Sequence, residues 1–305
     1  MKIIIGAGLS GLICGALNAQ SKIFERNPSN FISHKAVLRF RDDKIARSLG
    51  LTFRKVRVRK GIWMDGPQLS APLYANLYSQ KVRGIIGDGS IWNLEPSDRF
   101  IAPENLHELL ADICGNRITW QWSVSLEQIL DWRKAGLQIV NTSPLPVILE
   151  LLSMASPFSF SYAPIFVSRY RVPDCDVFQS IYFPEPSLGL YRATLTGDLL
   201  TLESVSAENT GMNVAMDAFG LRSLPFLSDP ADLKHKQSFG KIIPAPDGPR
   251  KALLHRLTQE WGIYSLGRFA TWRNILLDDV YEDIAVIRRM MTQQAYDNSL
   301  ERTRT

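Results

Sequence analysis

The 305-residue chain has no long apolar run of the kind that spans a bilayer, and this excludes a membrane-spanning helix. Cysteine is scarce: Cys14, Cys114 and Cys175 are three in number and scattered, which argues against a disulfide framework and for a reducing compartment. The four histidines, His34, His107, His235 and His255, are dispersed, so neither residue type offers metal-ligand spacing and no metal is expected. Nor is there an excess of acid. Lys and Arg number 35 against 30 Asp and Glu, the net charge is +5 and the pI about 9.1. That balance is compatible with an anionic partner, nucleic acid included, without selecting one. The first strand pattern begins at Lys2, which leaves no room for a signal peptide ahead of the core, so a cytoplasmic protein is expected.

What the chain does have is concentrated at its start, MKIIIGAGLSGLICGALNAQSKIFER. A β-branched run, Ile3-Ile4-Ile5, leads into Gly6-Ala7-Gly8-Leu9-Ser10-Gly11, then an Ala/Leu-rich helical stretch, then Lys22-Ile23-Phe24 and Glu25. Strand, glycine turn, helix, strand, acid is the context in which G-x-G-x-x-G signifies a dinucleotide site. Gly6 permits the tight turn, Gly8 lets a pyrophosphate approach the backbone, and Gly11 lets helix and strand pack closely. The first helical turn, with Leu9 and Ser10, points free N–H groups and the positive dipole end at the phosphates. Glu25, 19 residues after Gly6, is placed to accept hydrogen bonds from a ribose diol and disfavours the extra phosphate of NADP. The acid–base pair Glu25-Arg26 within ERNPSN resembles the end of the second strand in FAD-dependent oxidoreductases of the glutathione-reductase-like class, so FAD is preferred over NAD.

In the following segment His34, Arg39 and Arg41 are candidates for contacts to pyrophosphate, flavin or a substrate carboxylate. A short helix is predicted over Asp43 to Leu49, closed by Gly50. Thr52 to Lys60 alternates with period 2, placing Lys55, Arg57 and Arg59 on one face and Val56 and Val58 on the other. This is either a strand kept soluble by charge or a stripe that tracks nucleic-acid phosphates. Gly61 to Phe100, rich in Gly, Pro and aromatics, reads as short strands and turns. A helix is predicted over Pro103 to Cys114, a strand over Arg117 to Val124 and another over Leu137 to Val140. Thr142 or Ser143 is then expected to cap a helix from Val147 to Met154. Ser156 to Ser206 reads as antiparallel sheet and Met212 to Leu221 as a helix.

Near the C-terminus a helix is predicted over Arg250 to Glu260, then a strand, Gly262 to Leu266, ending on Gly267-Arg268, then a helix beginning near Trp272, itself a candidate cofactor contact. A strand ending in glycine ahead of a helix suits the second half of a flavin dinucleotide: Gly267 lets the backbone approach, Arg268 reaches phosphate or flavin oxygen, and the helix tip stabilises negative charge on the ring.

Together the two ends resemble the FAD-dependent amine oxidase and UDP-galactopyranose mutase group. Within it, HKAVLRFR (His34 to Arg41), FRKVRVRKGI (Phe53 to Ile62), FGKIIPAP (Phe239 to Pro246) and YSLGRFATW (Tyr264 to Trp272) resemble small FAD-dependent oxidoreductases of tailed bacteriophages, some of which act in thymine hypermodification. The resemblance implies an α/β fold: a glutathione-reductase-like Rossmann FAD domain (1–60, 105–150 and 236–305) with a smaller, mainly antiparallel β substrate domain (61–104 and 151–235). It implies FAD, with Val124 against the adenine and Thr142 where the chain returns to the dinucleotide; unlike the larger amine oxidases the chain has no cysteine near a flavin motif, so non-covalent binding is expected. It also implies oxidation of a C–N bond of a small amine, or of an amino-acid-modified thymine in DNA, by hydride transfer to flavin N5 and hydrolysis of the imine. Lys241 would hold a water near N5, and His34, Arg39 and Arg268 would orient substrate or flavin. Two alternatives stay open: a non-redox flavin-dependent sugar-nucleotide mutase, and a DNA-binding protein with a vestigial nucleotide fold.

Overall fold

In the computed structural model, the structure describes residues 2–29, 38–66, 68–86, 91, 93–207, 211–221, 227–228 and 235–304, with backbone alone for 227–228, 235 and 294–304. Strands and helices are numbered in chain order. One sheet consists of β1 (Lys2–Ile5), β2 (Ser21–Phe24), β6 (Ile118–Thr119), β7 (Gln138–Asn141) and β14 (Ile263–Ser265), in the spatial order β14-β7-β1-β2-β6. All its pairings are parallel, which is the order and direction of a Rossmann-like doubly wound sheet. Consecutive residues of these strands serve opposite faces. Ile4, Val140 and Tyr264 pack on α1 (Leu9–Ala16), α4 (Leu106–Cys114) and α9 (Leu277–Arg304). Ile3, Ile5, Ile139 and Ile263 pack on α5 (Leu126–Lys134), α6 (Leu145–Leu151) and α8 (Asp247–Trp261).

The second sheet runs β12-β8-β11-β10-β9-β4-β5-β3, with β13 also paired to β8. Its members are β3 (Arg39–Phe40), β4 (Arg54–Ile62), β5 (Ser97–Ile101), β8 (Tyr162–Arg171), β9 (Val177–Tyr182), β10 (Leu190–Gly197), β11 (Leu199–Ser204), β12 (Leu227–Ser228) and β13 (His235–Ile242). Every pairing but β4 with β9 is antiparallel. The remaining helices are α2 (Lys44–Leu49), α3 (Ala71–Arg83) and α7 (Met212–Phe219). The chain thus has an α/β Rossmann-like fold with a mainly antiparallel second region.

The structure departs from the sequence expectations at five points. The boundary at residue 60 falls inside β4, which lies between β5 and β9, and β13 belongs to the larger sheet as well. Within the stretch read as strands and turns, Ala71–Arg83 is a helix: Pro72 sits in its first turn, where its missing N–H costs nothing. Ala75, Tyr78, Ser79 and Val82 bury one face, and Gly84 closes it at φ 71°. The predicted strand Arg117 to Val124 is regular only at Ile118–Thr119, although Trp122 N–H still donates to Glu25 O at 2.8 Å. Neither Thr142 nor Ser143 caps α6, whose N-cap is Pro144. The last helix starts at Leu277, not near Trp272, which has φ 47° in the preceding turn.

Among the described residues no helix is long and apolar enough to cross a membrane, and no group of three or more His, Cys, Asp or Glu could hold a metal ion.

Candidate cofactor and substrate site

The carboxyl ends of β1, β7 and β14 converge on the point where the strand order reverses, the usual place for a ligand in this sheet type. Gly6 turns off β1 at φ 100°, its N–H donating to Phe24 O at 2.8 Å. Thr142, at the end of β7, donates from its hydroxyl to Ile5 O (2.9 Å) and Gly6 O (3.1 Å), so it braces the glycine turn. The three motif glycines differ in what excludes a side chain. At Gly11 a Cβ would lie 2.0 Å from Gly6 O, so helix–strand packing forbids it. At Gly6 the φ forbids it. At Gly8 a Cβ would meet nothing within 4 Å among the described residues. Gly8 is the N-cap of α1, with no side-chain cap and no acid in the first turn, so the helix's leading N–H groups and dipole end carry no carboxylate of their own.

Glu25 stands beside this turn. Its Oε2 accepts from Ala7 N–H (2.7 Å), and its Oε1 accepts from the backbone N–H (2.9 Å) and Nδ2 (2.8 Å) of Asn27. A carboxylate has about four acceptor positions, so one remains for a diol. Leu9 packs into the core and Ser10 lies half-buried at the turn's rim. Gly267, at φ 93°, comes from β14 and seats against Ser10: a Cβ there would be 2.5 Å from Ser10 Oγ. His107 of α4, not singled out in the sequence, places Nε2 3.1 Å from Ala7 O. An open glycine turn, an uncapped helix end and an acid with spare acceptor capacity fit a dinucleotide.

Other expected contacts lie elsewhere. Arg41 is half-exposed and paired with Asp278 and Asp279, which occupy the first turn of α9. That helix tip is already covered by acid, Asp279 also accepting from Leu276 N–H at 2.8 Å, and it is not the free positive end expected beneath a flavin. Trp272 is fully buried, edge-on to Phe160, Tyr162 and Phe239, so its indole faces core and not a cleft. Val124 packs against the hydrophobic core on the α5, α6 and α8 side of the parallel sheet, and Arg26 is exposed. His34 lies outside the described residues.

Arg39 belongs to the second sheet. It donates to Ser180 Oγ (2.7 Å), Leu195 O (3.0 Å) and Thr196 Oγ1 (2.9 Å). Burial, with nearby Arg192, pulls its guanidinium down to about 10. It is a tie between β9 and β10. The stripe Lys55, Arg57, Arg59 is exposed as the alternation requires, with Val56 and Val58 buried. Lys55 and Arg57 share Asp98, at 3.4 and 3.0 Å.

The second sheet contributes a polar cluster that the sequence reading did not assemble. Arg192 on β10 and Glu203 on β11 are register partners, and Arg192 forks onto both oxygens of the fully buried Glu203 carboxylate, Nη2 to Oε1 at 2.6 Å. Tyr191 Oη also donates to Glu203, at 3.0 Å. Burial pushes the Glu203 carboxyl up, but Arg192 outweighs it and the net direction is down. The hairpin carried a signal: positions 192 and 203 are equidistant from the Gly197-Asp198 turn.

Lys241 stands over the Tyr191 ring, Nζ 4.6 Å from its centroid. It is presented by an irregularity in β13: Gln237 pairs with Ile165 but Lys241 with Ala163, so β13 uses two residues more than β8 and bends there. Gly240 makes the bend possible, since a Cβ there would lie 2.3 Å from Ile165. Burial, then Arg192, Arg268 and Arg83, against Glu203, bring the Lys241 ammonium down to about 7. Lys241 feels the charge of Arg268 in the Gly267 turn, so the two halves of the molecule meet at this lysine.

No protein-family model and no curated protein matches the chain. Solved structures do match. A reduced UDP-galactopyranose mutase aligns over 89% of this chain and 89% of its own, with 13% identity and a TM-score of 0.57. RebC-10x, in native and K252c-bound form, aligns over 87% of this chain and 54% of its own, with 11% identity and a TM-score of 0.50. At such identities the likeness is one of fold.

Proposed function

We propose that the protein is a flavoenzyme that binds FAD non-covalently and oxidises the C–N bond of an amine. The observation that carries this reading is Lys241: an amine titrating near neutrality, held over an aromatic ring, electrostatically joined to the turn that seats against the glycine loop. Gly8, the first turn of α1 and Glu25 would hold the pyrophosphate and ribose, with Ser10, Thr142 and Gly267 shaping the cleft. Bound flavin would supply the two-electron acceptor for the substrate C–H, and water would then hydrolyse the C=N bond. Neutral Lys241 would hold that water or accept the proton released, and the Arg192–Glu203–Tyr191 unit would keep Lys241 in place and poised.

The purified protein tests this directly. It is to be yellow, to release FAD on denaturation, and to bleach anaerobically when given an amine or an amino-acid adduct of a DNA base. Colourless protein that takes up no FAD would favour the DNA-binding alternative. FAD retained without bleaching by any amine would favour the sugar-nucleotide mutase, a second reading supported by the 89% two-way coverage of the UDP-galactopyranose mutase fold. A DNA-borne substrate draws support from Arg59, which is exposed and has no carboxylate partner among the described residues. Such a base would have to leave the stack to reach Lys241.

A further inference from the structure

Tyr191 and Arg192 are consecutive, yet both reach the Glu203 carboxylate, Tyr191 Oη at 3.0 Å and Arg192 Nη2 at 2.6 Å. In a regular strand successive side chains go to opposite faces. The register explains the convergence. Leu190 lies opposite Ser204 and Arg192 opposite Glu203, so β10 uses one residue more than β11, and Tyr191 is the extra one. Such a bulge bends its strand, interrupts the ladder and re-aims side chains.

Lys81 meets that bulge. It stands half-buried in the last turn of α3. Its ammonium donates to Phe183 O (2.8 Å), Glu185 O (2.7 Å) and Leu190 O (2.6 Å). An ammonium has three N–H donors, and here all three go to the main chain of the segment that joins β9 to β10. Leu190 O is the carbonyl immediately before the extra residue. From the same helix Tyr78 lies edge-on to Tyr191, with ring centroids 6.1 Å apart. Burial brings the Lys81 ammonium down to about 8, against the opposing charge of Glu185, and the three carbonyls offset part of that desolvation.

We propose that Lys81 is a positioning residue for Lys241: it fixes the carbonyls around the bulge, and the bulge turns Tyr191 and Arg192 together onto Glu203. The groups so placed form one side of the Lys241 environment, with the Tyr191 ring against the amine and Arg192 and Glu203 acting on it from β10 and β11. The other charges that act on it are Arg268 of the Gly267 turn and Arg83 of α3. The catalytic consequence rests on the flavoenzyme reading. The placement does not, because it is read on the amine whether or not flavin is bound.

The test is a pH titration of the Lys241 amine in the full-length protein, by carbon-13 NMR of lysine labelled at Cε, with Lys241→Met to assign the resonance. The wild-type midpoint is expected near pH 7. Lys81→Met keeps an unbranched stem and removes all three donors. With the bulge relaxed, Arg192 and Glu203 no longer lock together and water reaches the amine, so the Lys241 midpoint is to rise by about half a pH unit or more. Lys81→Gln, which keeps N–H donors without the charge, is to shift it less in the same direction, and it serves if the methionine variant does not fold. Loss of a nearby positive charge would by itself raise the midpoint, so Lys81→Met is repeated in an Arg192→Met/Glu203→Gln background, which has no ion pair to aim. There it is to add no shift. An equal shift in both backgrounds overturns the proposal, and so does lower stability with the midpoint unmoved, because Lys81 would then only tie α3 to its neighbouring segment. If the protein takes up no FAD, the flavoenzyme reading falls, while this titration still judges Lys81 by the same midpoints.

Discussion

Gly267 seats against Ser10 so closely that a Cβ on the glycine would lie 2.5 Å from the serine hydroxyl oxygen. The residues are 257 positions apart in the chain, and their contact joins the turn after β14 to the first turn of α1. Gly267→Ala is therefore expected to cost stability twice, through this overlap and through an L-residue at φ 93°. Together these are worth about 1–3 kcal/mol or somewhat more. Adding Ser10→Gly is to recover only the overlap. Chemical denaturation of the two single variants and the double variant measures the partial rescue.

Gly8 and Gly11 are expected to respond oppositely to substitution. Gly8→Val places its Cβ within 4 Å of no atom of the described residues, so its melting temperature without ligand is to stay near that of the wild type while FAD retention is lost. Gly11→Ala drives a methyl into Gly6 O and is to destabilise the fold itself by about 1–3 kcal/mol or more. Circular dichroism melts beside flavin absorbance separate the two. A yellow Gly8→Val protein would count against the cleft as the cofactor site.

Stability should depend on pH through Lys241. Its folded value of about 7 lies below the ordinary 10.5, so between these pH values the unfolded chain holds a proton that the folded chain has released. Stability then rises with pH through that window. Below about pH 7 both states are protonated and the burial penalty is present in full. Lys241→Met, which keeps an unbranched side chain over Tyr191, is expected to be more stable than the wild type at pH 6, with the difference vanishing towards pH 10. Urea titrations at pH 6, 8 and 10 read this out.

Glu203→Gln leaves Arg192 without its counter-charge. The expected loss is about 3 kcal/mol, the lower end for a broken buried pair, because Arg192 keeps part of its exposure. The same change removes a nearby negative charge that raises the Lys241 value. The acid limb of the kcat/KM profile for an amine substrate is therefore to move to lower pH than in the wild type. A limb that stays in place would detach Glu203 from Lys241.

Local rules suffice for much of this molecule. Ile3-Ile4-Ile5 ahead of Gly6-x-Gly8-x-x-Gly11, with Glu25 beyond, determines a parallel strand, a tight turn and a helix from nearby residues alone. The alternation of β4 and the Gly50 cap of α2 are equally local. Where the sequence reading went astray, a distant partner decided. Arg41 was free to meet a phosphate until α9 brought Asp278 and Asp279 to it, and Trp272 was free to face a cofactor until Phe160, Tyr162 and Phe239 enclosed it. Arg192 and Glu203 are ordinary residues of two strands until the hairpin sets them opposite each other. The surroundings of Lys241 are likewise not local: a bend in β13 seats it over Tyr191 of another strand. Fold class follows from periodicity, which each segment carries within itself. Charge pairing, burial and proton affinity depend on which segments become neighbours, and only the folded chain specifies that.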